Sequence, residues 1–100
     1  MTKYLYTVRA DVDVEMEARY NEWYDNVHIP ALLKVPGVLG AHRYLSVEGE
    51  PKYIAVYELE SANTPSSEKW NQAVAATPRP KDIITKNVSR NLYKGICPKK

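Results

Sequence analysis

One hundred residues, with 14 Lys or Arg against 12 Asp or Glu and a net charge of +2, suit one domain and leave little room for two. The 44% apolar and 26% charged fractions are those of an ordinary folded chain, not a disordered one. So small and dispersed a charge argues against nucleic acid as a partner, and no apolar run approaches the roughly 20 residues of a membrane-spanning helix.

Cys97 is the single cysteine, so no intrachain disulfide can form. With no apolar leader behind the start, a cytoplasmic location is expected. His28, His42 and Cys97 follow no compact zinc spacing, and no metal is expected. A Cys–His nucleophile would need Cys97 beside His28, from within a terminal tail. Glycines at 37, 40, 49 and 95 build no phosphate loop. One imbalance stands out: eight Tyr and two Trp, but no Phe. A buried Tyr needs a partner for its polar tip, so a Tyr-rich domain holds those tips at its surface or in a wet cavity.

In chain order, Tyr4 to Ala10 is β-branched and aromatic and predicts a first strand. Tyr4, Tyr6, Val8 and Ala10 share one face, and Leu5, Thr7 and Arg9 the other. Acidic residues from Asp11 to Glu17 introduce a helix from about Val14 to His28. Met16, Tyr20, Trp23, Val27 and Ala31 recur at helical spacing within an arc of roughly 80°. Tyr24 lies about 20° beyond that arc and His28 about 60°. Pro30 has no donor for the carbonyl of Asn26, which predicts an end or kink near His28.

Val38 to Val47 predicts the second strand, Glu48-Gly49-Glu50-Pro51 a turn, and Lys52 to Glu60 the third strand. Tyr53, Ala55, Tyr57 and Leu59 share a face. Thr64 followed by Pro65 suggests the cap and first position of a second helix carrying Trp70, Ala73 and Val74. Thr77-Pro78-Arg79-Pro80 stops it. Asn87 to Ile96 predicts a fourth strand.

This β-α-β-β-α-β order defines an α+β, ferredoxin-like sandwich over the whole chain. Its helices cover one sheet face. Leu5, Leu39, Leu45, Ile54 and Val56 are expected on the other, and so apolar a face calls for a second copy, hence a homodimer.

The densest chemistry lies between Tyr20 and Pro30. A His at a helix C-terminus is favoured as imidazolium. His28, with Asp25 three residues back and Tyr24 one turn back, is expected to titrate near neutrality and serve as an acid–base group. The alternative is a helix cap bonded to a freed carbonyl.

Tyr20-Asn21-Glu22-Trp23-Tyr24, His28-Ile29-Pro30-Ala31-Leu32-Leu33 and Val35-Pro36-Gly37-Val38 resemble the EthD-like branch of the dimeric α+β barrel superfamily. Arg43-Tyr44 and the segment from Tyr53 to Leu59 fit the same template. The resemblance implies a back-to-back homodimer with a pocket in each subunit between sheet and helices, and His28 pointing into it. It also implies cofactor-independent chemistry, as lyase, isomerase, cyclase or monooxygenase, on a small aromatic or carbonyl-bearing compound. His28, Asp25 and Tyr24 are the catalytic candidates. Tyr4, Tyr6, Trp23, Tyr44 and Tyr57 are candidates for binding the ligand, with Tyr53 on the same face. Arg9 and Arg43 are expected on the barrel face, and Arg43 stays a candidate because a one-residue bulge would reverse it. A non-catalytic binding or accessory dimer is the competing reading.

Overall fold

The computed structural model describes residues 4–96; Cys97 and the Lys99-Lys100 end lie outside them. Strands β1 (Tyr4–Val12), β2 (Val38–Leu45), β3 (Tyr53–Leu59) and β4 (Thr85–Lys94) form one antiparallel sheet in the order β2-β3-β1-β4. Helical segments fill the two crossovers: α1 (Glu17–Trp23) and α2 (Ile29–Leu33) before β2, and α3 (Glu68–Ala76) before β4. This is the expected ferredoxin-like α+β arrangement. No helix among the described residues is long and apolar enough to cross a membrane.

Alternation along β3 sets the core. Tyr53, Ala55, Tyr57 and Leu59 are all buried beneath the helices. Leu32, Val35, Trp70 and Ile83 close over them from the other layer. Gly37 leads into β2 at φ +95°, where a Cβ would stand 2.7 Å from Thr64 Oγ1, so only glycine fits.

The first helical layer departs from expectation at Pro30. The chain does not end its helix there. A π-helical turn, Tyr24–His28, joins α1 to α2. Its last bond runs from Ile29 N–H to the Tyr24 carbonyl, one residue further back than in an α-helix. The ladder is thus already opened where Pro30 has no donor to offer. The wider turn also advances less per residue, so positions four apart align. Tyr20, Tyr24, His28 and Leu32 form the buried stripe, and Val27, expected inside, is 46% exposed.

Three smaller corrections concern caps and register. Ser67, not Thr64, caps α3, its hydroxyl accepting from Trp70 N–H at 3.2 Å. Thr64 and Pro65 belong instead to a preceding 3-10 turn. On β2 an extra residue between Val38 and Gly40 shifts the pairing with β3. Arg43 then stands opposite Ala55 on the helix side, while Tyr44 stands opposite Ile54 on the open face, 58% exposed. Leu45 turns to the helix side with Arg43. A second bulge, where β4 enters beside β1, puts Asn87 at φ 53°. Its amide there donates to Asp11 Oδ2 at 2.8 Å.

Candidate functional site

A cavity of about 370 Å³ opens between the sheet and the helices. Tyr6, Val8 and Ala10 of β1 form its floor with Tyr57 of β3 and Val88 and Arg90 of β4. The α1–π–α2 run supplies Tyr20, Trp23, Tyr24, His28 and Leu32, and α3 with its exit supplies Trp70, Thr77 and Arg79. Apolar and aromatic walls with a few polar atoms are the usual make-up of a small-ligand site.

His28 is held in one state. The Thr77 hydroxyl donates to the Ala73 carbonyl at 2.9 Å, since a carbonyl can only accept. With its proton committed there, Thr77 Oγ1 accepts from His28 Nδ1 at 2.8 Å. The proton of a neutral imidazole therefore sits on Nδ1, and Nε2 keeps its lone pair. That Nε2 takes no protein partner among the described residues and remains accessible in the cavity wall. Trp23 stacks on the imidazole at 4.5 Å, and Tyr24 meets it edge-on at 5.3 Å. This dry setting corrects the expectation of titration near neutrality. Burial pushes His28 down to about 4, against a smaller upward pull from the Thr77 backbone. It lies within the helical run, not at its end, so no helix C-terminus raises its basicity.

The phenols are held neutral. Burial raises Tyr20, Tyr24 and Tyr57 above the ordinary Tyr value. Tyr24 and Tyr57 sit close enough to affect one another's ionisation, yet no bond of ordinary geometry forms between them. The Tyr57 hydroxyl is left buried without a partner among the described residues, as is Trp23 Nε1. Tyr6 and Tyr57 each meet Trp70 edge-on, at 5.5 and 5.4 Å.

Other candidates lie elsewhere. Asp25 does not reach His28: it accepts from Arg43 Nη1 at 2.9 Å, and Asn21 Oδ1 accepts from Arg43 Nη2 at 2.9 Å. The guanidinium stands 4.6 Å from the Tyr24 ring centroid, so Arg43 fastens helix to sheet beside a second, more open recess. Tyr53 borders that recess and bonds Glu17. Tyr4 faces the helix layer and packs on the core, but does not line the cavity. Tyr44 is on the opposite sheet face. Sequence reasoning missed Trp70, Thr77, Arg79 and Arg90 as cavity residues. The alternation Val88-Arg90-Leu92 was the available signal for Arg90. No group of three or more His, Cys, Asp or Glu gathers among the described residues to hold a metal.

A four-stranded antiparallel sheet with helices on one face and a cavity between them defines a ferredoxin-like α+β fold. Within that class, residues 3–79 match the model of the domain of unknown function DUF4286, and the chain belongs to that family. No curated protein matches it in sequence. Among solved structures it is similar to the haem-degrader MhuD from Mycobacterium tuberculosis with two haems bound in its active site. That match has a TM-score of 0.77 at 17% identity, covering 97% of this chain and 99% of that one. An ethyl tert-butyl ether degradation (EthD) family protein from Bacillus halodurans matches with a TM-score of 0.64 at 12% identity, over 93% and 99% of the two chains. HapK from Hahella chejuensis matches with a TM-score of 0.69 at 11% identity, over 97% and 96%. The EthD-like resemblance is thus met in the fold.

Proposed function

We propose that the protein is a cofactor-independent enzyme moving a proton on a small aromatic or carbonyl-bearing compound in this cavity, with His28 Nε2 as base. The observation that carries this reading is the fixed tautomer: Thr77 holds the Nδ1 proton, which leaves the Nε2 lone pair available to the cavity. In the step envisaged, a substrate C–H or O–H bond breaks and its proton passes to Nε2. The electron pair delocalises onto a substrate oxygen, which the neutral Tyr24 hydroxyl stabilises as a donor. Return of the proton to another carbon completes an isomerisation. In a lyase reaction the bond to a leaving group breaks and that group takes the proton; in a cyclisation the carbanion attacks a second carbonyl of the substrate, whose oxygen takes the proton. Trp23, stacked on the ring, keeps the imidazole oriented. Asp25 drops out of the catalytic set because Arg43 holds it.

One observation favours a second reading. An imidazole pushed down to about 4 is a weak base, and such a group equally suits a binding protein that uses Nε2 only to accept a hydrogen bond. Native mass spectrometry of freshly expressed protein identifies any co-purified compound, whose turnover is then followed. His28→Ala is expected to keep the fold and lower turnover at least about a hundredfold, the usual minimum for losing an acid–base group. An unchanged rate would remove His28 from the chemistry. A compound bound but never altered, nor exchanged with deuterium from solvent, would favour the binder.

A further inference from the structure

The cavity is electrostatically one-sided. No Asp or Glu lines it, yet Arg79 and Arg90 both do. Two of the three other arginines have carboxylates: Arg19 pairs with Asp82 and Arg43 with Asp25. Among the described residues Arg79 has only a neutral partner, donating from Nη1 to Thr85 Oγ1 at 3.0 Å. Arg90 takes no hydrogen-bond or ion-pair partner among the described residues. Its place is fixed by register: it stands opposite Val8, whose side chain lines the floor.

Depth orders the groups. Tyr57, Trp70, Tyr24 and His28 are buried, from 1% to 9% exposed, whereas both arginines are exposed. The charges therefore ring the mouth and the aromatic rings form the interior. Their fields reach inward as well. Burial dominates the upward shifts of Tyr20 and Tyr24; Arg43 opposes both, and after it Arg79 opposes the first and Arg90 the second. A guanidinium with free donors is the side chain best matched to a carboxylate.

We infer that the ligand of this cavity is an aromatic acid, its ring packed against the wall formed by Tyr6, Tyr57 and Trp70 and its carboxylate held at the mouth by Arg79 and Arg90. This rests on the cavity being a small-molecule site, as proposed above, and narrows what enters it. The volume of about 370 Å³ falls at the small end of ligand pockets, which run from about 300 to 1,000 Å³. One or two fused rings suit it.

The probes are 2-naphthoate and its uncharged methyl ester, titrated calorimetrically into the whole protein. The acid is expected to bind about tenfold more tightly at low salt, a ratio typical of one charge-assisted contact. High salt should erode that preference, because the site is partly exposed. Arg79→Gln with Arg90→Gln should bring the acid down to the level of the ester, while the Lys pair at the same positions should retain much of the preference. Equal binding of acid and ester to the wild type would overturn the inference and leave the cavity reading standing. So would a preference that survives in the Gln pair. Failure of both probes to bind would overturn the cavity reading and the inference together.

Discussion

At His28 three physical effects meet in one side chain: a donor bond to Thr77, a stacked Trp23 and the removal of water. The last dominates, and it ties the residue to stability as well as to chemistry. An imidazole held at about 4 in the folded protein resists a proton that the unfolded chain accepts near the ordinary value of 6.5. Above about 6.5 both states are neutral and His28 adds no pH dependence. As pH falls from there toward 4 the unfolded state gains protons first, and stability is lost. The full shift amounts to about 3 kcal/mol. Urea unfolding at pH 7 and pH 4 is therefore expected to show a larger loss for the wild type than for His28→Gln, and equal losses would contradict the burial. That His28, Tyr24 and Trp23 line one cavity was legible because the motif between Tyr20 and Pro30 groups them in the chain. Arg43, Tyr44 and Asp25 were misplaced, because one bulged residue in β2 changes which side chains meet.

The elements were legible wherever periodicity ran uninterrupted. The tyrosine alternation on β3 and the order of strands and helices needed nothing beyond side-chain pattern. The π-turn was not legible: Pro30 announces a disturbed ladder but does not say whether the helix stops or widens. Widening costs one irregular turn, and it brings Tyr20, Tyr24, His28 and Leu32 into line over the cavity. The start of α3 was misread for a related reason, since Thr64 and Ser67 are both competent caps three residues apart. Only Ser67 has its hydroxyl against an orphan N–H of the helix. Ser67→Ala should therefore cost about 1 kcal/mol in denaturant unfolding. At the entry to β2, Gly37→Ala should cost about 2 kcal/mol, a typical penalty for a side chain forced to positive φ. A neutral result for Gly37→Ala would mean that the backbone there relaxes freely.

For the molecule as a whole, the sheet face away from the helices decides how the chain associates. Leu5, Ile54 and Val56 are half-buried there and Tyr44 and Tyr93 exposed. His42 and Glu58 share that face, paired at 2.9 Å. Leu45, expected there, is absent, and Tyr44 takes its place, so the face is more aromatic than the sequence alone suggested. We propose that it closes against a second copy. Native mass spectrometry at about 10 µM, where interfaces of standard size stay closed, should give twice the 11.4 kDa chain mass. Val56→Glu, at the middle of the face, should yield monomer. A wild-type monomer would contradict the pairing.

The proposed chemistry needs one imidazole that is neutral, protonated on Nδ1 and open on Nε2. Long-range proton–nitrogen NMR of the His28 ring, followed from pH 8 to pH 3.5, reads all three directly. The Nδ1–H tautomer at neutral pH and a titration midpoint of about 4 are expected. A ring protonated on Nε2, or a midpoint near the ordinary 6.5, would contradict this.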